Sequence, residues 1–82
     1  MAKKQHTHVA ALEKFIDDKA LRETRVFENA RATVTRYYDP TVRKTLYVEQ
    51  FKDDGSWDIL VPVCDSNSIT ETLAAAEKYL RS

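Results

Sequence analysis

Apolar residues near the front of the chain recur every three to four positions: Val9, Leu12, Phe15 and Ile16, with Ala20 one turn further on. That spacing lines one face of a helix. Glu13, Lys14, Asp17, Asp18 and Lys19 fill the opposite side. The pattern predicts an amphipathic helix over residues 7–22, with Thr7 as its cap. The character then changes. Val26, Phe27, Thr33, Val34, Thr35, Tyr37 and Tyr38 are β-branched or aromatic, and predict one strand within residues 25–38. Asp39-Pro40 ends it, because proline lacks a donor and restricts its predecessor. A second strand over 45–52 follows a turn carrying Arg43 and Lys44. The hairpin signal Asp53-Asp54-Gly55-Ser56 leads to a third strand over 57–63.

The last segment is the clearest. Ser68-Ile69-Thr70-Glu71 fits a capping box, with Ser68 as the cap and Glu71 reaching back to its amide. Ile69, Leu73, Ala76 and Leu80 form one apolar stripe, and Ala74-Ala75-Ala76 favours helix and close packing on a sheet. The order is helix, three strands, helix. The expected fold class is α+β: a two-layer sandwich with a three-stranded antiparallel meander and both helices on one face. Polar residues 1–6 are expected to be a flexible N-terminus, ahead of a single domain over 7–82.

Strand parity assigns the faces. A four-residue loop at 53–56 pairs Lys52 with Trp57, so Gln50 opposes Ile59, Val48 opposes Val61 and Leu46 opposes Val63. The inner face is then Ala32, Val34, Leu46, Val48, Ile59, Val61 and Trp57. With Tyr37 set beside Tyr47, the outer face holds Thr33, Thr35, Tyr37, Tyr47, Glu49, Phe51 and Leu60. A two-layer chain has nothing left to cover that face, and its aromatics suit an interface.

Composition narrows the function. The 82 residues allow one domain. The net charge is zero but unevenly spread: residues 1–25 carry six Lys/Arg against four Asp/Glu, 26–52 five against three, and 53–82 two against six. A polyanion binder has a clearer basic excess. The lone cysteine, Cys64, excludes an internal disulfide, and no apolar run suits a membrane span or a signal peptide, so the expected compartment is the cytoplasm. A single glycine excludes phosphate-binding and dinucleotide loops. His6 and His8, at i and i+2, share no helix face and with Cys64 make no zinc pattern. Cys64 has no base near it in sequence and reads as a small structural hydrophobe. The Asp53, Asp54 and Asp58 cluster suits a turn tip. No enzyme activity, cofactor, metal or small-molecule substrate is expected.

Helix, three strands, helix is also the element order of the double-stranded RNA-binding domain, a resemblance of topology across most of the chain. That family grips phosphates through a Lys-rich entrance to its last helix; here the matching stretch is Ser66-Asn67-Ser68-Ile69-Thr70-Glu71, with no basic residue. The expected function is a small protein-interaction module, a regulator or inhibitor of a larger protein. It would bind a partner or a second copy of itself through Thr35, Tyr37, Tyr47, Glu49, Phe51 and Leu60, or through the open sheet edges. The alternative is nucleic-acid binding by the basic first hairpin, through Arg31, Arg36, Arg43 and Lys44 beside Tyr37 and Tyr47.

Overall fold

The computed structural model describes residues 5–82. Its first helix, α1 (Val9–Asp18), stops short of the predicted residue 22. The stop is a backbone event with no sequence flag. Ala20 crosses to φ +52°, its N–H bonds the Asp17 carbonyl at 3.1 Å, and the Leu21 N–H bonds the Ile16 carbonyl at 3.1 Å. This is a Schellman closure, and Leu21 just beyond it is buried in the core. Glycine is the usual residue there, because a Cβ in the left-handed region costs about 1 kcal/mol or more. Ala20→Gly should therefore raise stability by about 0.5–1 kcal/mol. The readout is a higher urea midpoint with an unchanged slope. At the other end the N-cap is His8, which makes no side-chain cap, and not Thr7.

The chain restarts at once as β1 (Arg22–Glu28), which pairs antiparallel with β2 (Ala32–Asp39). Between them the Asn29 side chain accepts from the N–H groups of Arg31 and Ala32, each at 2.8 Å. The segment expected to be one strand over 25–38 is thus a hairpin of two. β3 (Lys44–Phe51) and β4 (Trp57–Val61) follow, and the sheet is a four-stranded meander in the order β1-β2-β3-β4. The three-stranded expectation is corrected to four, and with it the likeness in element order to the double-stranded RNA-binding domain. The chain is an α+β domain, closed by α2 (Ile69–Arg81).

The turn at 53–56 forms as predicted but seats the strands differently. Gly55 takes φ +74°, the Phe51 N–H bonds the Ser56 carbonyl at 2.8 Å, and Asp54 accepts from the Ser56 N–H and hydroxyl at 2.9 and 2.7 Å. Gln50 now opposes Trp57 and Val48 opposes Ile59. That is a two-residue shift from the expected register, which preserves every face on β3 and its start on β4 because the strand period is two. A bulge then intervenes, with Tyr47 opposite Val61. Val61 lands on the outer side, 41% exposed, instead of in the core.

The larger correction concerns β2. Tyr37 opposes Leu46 and Thr35 opposes Val48. Tyr37, Thr35 and Thr33 therefore share the helix-covered face, and Ala32 and Val34 do not. Leu46, Val48, Trp57 and Ile59 form one buried cluster with Leu12, Leu21, Ala76 and Leu80, so both helices contribute to the core on this side.

The N-terminal segment is also part of the core. His6 and Trp57 exchange backbone hydrogen bonds at 2.8 and 2.7 Å, extending the sheet beyond β4. The His6 ring is buried against the Trp57 ring, with centroids 5.0 Å apart. The Thr72 hydroxyl donates to the Ser68 carbonyl at 3.0 Å, so at 2.9 Å it accepts from Nε2–H of His6, which sets the tautomer. The flexible stretch expected over 1–6 does not extend to His6; residues 1–4 lie outside the described residues.

α2 starts as predicted at Ser68, whose side chain accepts from the Glu71 N–H at 3.4 Å. The return half of the box is relayed: the Ser66 hydroxyl accepts from the Ser68 N–H at 3.0 Å and donates to the Glu71 carboxylate at 2.6 Å.

Candidate functional site

The outer sheet face is built by cross-strand rows. One row is Thr24–Arg36–Tyr47–Val61, and the next is Phe27–Val34–Glu49–Asp58. Phe51 lies beyond them, opposite Ala32, and Tyr38 stands between Arg22 and Thr45 at the other end. Of the six residues predicted to bind a partner, Tyr47, Glu49 and Phe51 lie on this face and Leu60 sits at the bulge beside Val61. Tyr37 and Thr35 lie on the opposite face and leave the set. Phe27, 53% exposed, joins it. Sequence reasoning missed Phe27 because β1 was fused with β2; its exposure is set by the pairing of β1 with β2 and carries no signal in the sequence.

The basic set is not one patch. Arg31 lies in the turn before β2 and Arg43 in the turn after it, at φ +58°. Eight residues of strand separate them, which at ~3.3 Å per residue is roughly 25 Å. Lys44 turns to the end of α2. Its ammonium donates to the Tyr79 carbonyl at 2.9 Å and to the Ser82 hydroxyl at 2.7 Å, as well as to the Ser82 carbonyl. It also lies 5.2 Å from the centre of the Tyr79 ring. Arg36 alone stands on the outer face, 5.5 Å from the centre of the Tyr38 ring.

On the helix side a cleft of about 360 Å³ opens between α1 and the β1–β2 half of the sheet. Glu13 and Asp17 of α1 border it, with Glu23 and Arg25 of β1 and Thr35 and Tyr37 of β2. Arg25 is held by Glu28 at 3.1 Å, and Glu28 is held in turn by Lys52 at 2.6 Å. Those two cations, Lys52 foremost, keep the Glu28 carboxyl below its ordinary value. Burial pushes the Tyr37 hydroxyl above its ordinary value of 10.0, and the Glu23 and Glu13 carboxylates push it the same way, against a hydrogen bond with Thr35. The folded state thus favours the neutral phenol. Its contribution is intact below pH 10.0 and is lost as pH rises past that value. Stability measured against pH should fall less steeply on the alkaline side in Tyr37→Phe than in the parent chain.

His6, His8 and Cys64 are not brought together as ligands. His6 is committed to Trp57 and Thr72, the His8 carbonyl accepts from the Trp57 indole at 3.2 Å, and Cys64 is a free, half-buried thiol. Among the described residues no cluster of three or more His, Cys, Asp or Glu could hold a metal ion, and no helix is long and apolar enough to cross a membrane. Asp53 and Asp54 belong to the turn tip, while Asp58 faces outward beside Glu49.

The fold therefore defines the class: a small α+β domain, two helices on a four-stranded antiparallel sheet. The chain matches no family model, no curated protein and no solved structure.

Proposed function

We propose that this chain is a non-enzymatic, cytoplasmic protein-interaction module, a regulator or inhibitor of a larger protein, that binds through its outer sheet face. One observation carries the reading. Phe27 at 53% and Val61 at 41% exposure lie on the same face as Tyr47 and Val34, while the buried parts of both helices belong to the other. Exposed Phe27 and Val61 beside half-buried Tyr47 on one face of a small domain favour recognition of another protein. A homodimer through this face is one form of the same reading, and the zero net charge puts no long-range repulsion between copies.

A photo-crosslinking amino acid at position 47 tests it in cells, with the same group at Lys14 on the exposed side of α1 as the control. The expected result is a discrete protein adduct from position 47 and none from position 14. An adduct of twice the chain mass would identify the homodimer. Equal labelling from both positions, or no adduct from 47, would overturn the proposal.

A second reading has its own observation. Arg36 stacked over Tyr38, with Arg22 and Tyr47 as cross-strand neighbours, is a small basic and aromatic surface suited to single-stranded nucleic acid. It expects fluorescence-anisotropy binding of an oligonucleotide that weakens steeply with salt and is lost in Arg36→Glu. Absence of binding at low salt removes it.

A further inference from the structure

The two edges of the sheet are finished differently. Beyond β4, His6 pairs with Trp57 and occupies the edge at that point. Beyond β1, among the described residues, no strand pairs. All seven residues of β1 are exposed, with Val26 at 54% and Phe27 at 53%. An edge strand carries a row of backbone donors and acceptors that another strand can satisfy.

We propose that β1 pairs antiparallel with β1 of a second copy, joining two four-stranded sheets into one across a two-fold axis at Thr24. This does not depend on the outer-face reading, since an edge-paired dimer leaves that face open. Charge selects the register. Centring the pair on Thr24 sets Glu23 of each copy opposite Arg25 of the other, twice over. Centring it on Arg25 sets two guanidinium groups face to face, which is repulsive. The Glu23 side chain has no hydrogen bond or ion pair with the described residues of its own chain. Arg25 keeps its side chain 63% exposed while bonded to Glu28, so it can reach both carboxylates through the several donors of its guanidinium.

The β1 bulge selects the same register. The irregularity falls at Val26, which has no partner on β2 between Arg25 and Phe27, so the regular stretch of β1 is Arg22 to Arg25. The Thr24-centred register keeps Glu23, Thr24 and Arg25 within it and meets the bulge only at its outermost pair, Arg22 with Val26, whereas centring on Arg25 sets Thr24 against the bulge. It also explains why an otherwise exposed edge carries opposite charges on either side of Thr24, at Glu23 and Arg25. A two-fold interface needs one patch that complements itself, and Glu23 and Arg25 flanking Thr24 do so when reversed.

Sedimentation velocity across a concentration series, combined with charge reversal and a disulfide trap, tests the proposal. The parent chain should form a dimer that weakens with added salt. Arg25→Glu should weaken it at least about fivefold, because Glu23 would then face a carboxylate. The swapped pair, Glu23→Arg with Arg25→Glu, should restore it. In a Cys64→Ser background, Thr24→Cys should form a covalent dimer on oxidation, since directly opposed residues sit within disulfide range. Val63→Cys, at a position 80% exposed elsewhere on the surface, is the control and should not. Circular dichroism confirms that each variant folds; all the substituted strand positions are exposed. A parent chain that stays monomeric at millimolar concentration would overturn the inference. So would a dimer indifferent to the charge swap, or oxidation no faster at Thr24→Cys than at Val63→Cys. A dimer that persists through the edge variants but is lost in Tyr47→Ser would place self-association on the outer face. That result would overturn the edge pairing and leave the outer-face reading standing.

Discussion

Trp57→Ala is expected to cost about 3–5 kcal/mol, the range for truncating a buried tryptophan. A domain of 82 residues has roughly 4–12 kcal/mol in total, so the variant should be largely unfolded in modest denaturant and partly so without it. Trp57 is fully buried and is the largest such side chain. It joins three parts of the molecule that are distant in sequence. Its ring packs on His6, its indole N–H donates to the His8 carbonyl at 3.2 Å, and its backbone exchanges hydrogen bonds with His6 while opposing Gln50 on β3. Removing the ring leaves a cavity beneath the N-terminal segment and strands a carbonyl bond. Trp57→Phe separates the two effects. It keeps an aromatic body and loses the N–H, so it should cost only about 1–2 kcal/mol, for one hydrogen bond plus a partial cavity. Urea unfolding followed by circular dichroism measures both, since the only tryptophan is removed as a fluorescence probe. A Trp57→Ala chain within 1 kcal/mol of the parent, about the median for any point change, would mean that this residue is not the centre of the core.

The second large effect is expected at Leu46. It is 1% exposed, stands between Tyr37 and the β4 side of the sheet, and belongs to the cluster shared by both helices. Leu46→Ala should cost about 3 kcal/mol, as the lost methyl groups and the cavity add. Its neighbour Tyr47 points the other way, so Tyr47→Ala should cost about 1 kcal/mol or less, the range of exposed cross-strand pairing. The contrast between adjacent residues tests the face assignment directly. Comparable losses at the two positions would contradict the register that sets Leu46 under the helices.

Several features were legible in the sequence because they are local. Ser68 caps α2 and its stripe of Ala76 and Leu80 is buried, since the cap and the 3.6-residue period are both written within a few positions. Asp54-Gly55-Ser56 makes a turn wherever it sits, because the aspartate side chain bonds its own neighbours and glycine accepts a positive φ. The two faces of β3 followed from strict alternation: Leu46 and Val48 are buried, and Tyr47 and Glu49 are not.

What the sequence left open depends on partners far along the chain. The end of α1 rests on Ala20 in a left-handed conformation that its residue type does not announce. The split of residues 25–38 into two strands rests on a single Asn29 turn without glycine or proline. That fourth strand, with the β2–β3 register, turned Tyr37 inward and carried it out of the candidate surface, because a slip of one residue reverses every side chain of a strand. Lys44 reads as part of a basic turn until the C-terminal carbonyl groups of α2 arrive beside it. His6, a polar residue near a terminus, is buried only because Trp57 and Thr72 lie where it docks. Local propensity and alternation determined which segments form helices and turns and which way β3 faces. The strand count, the register and the members of the outer face were decided by long-range pairing, in which each element satisfies hydrogen bonds and buries surface that another exposes.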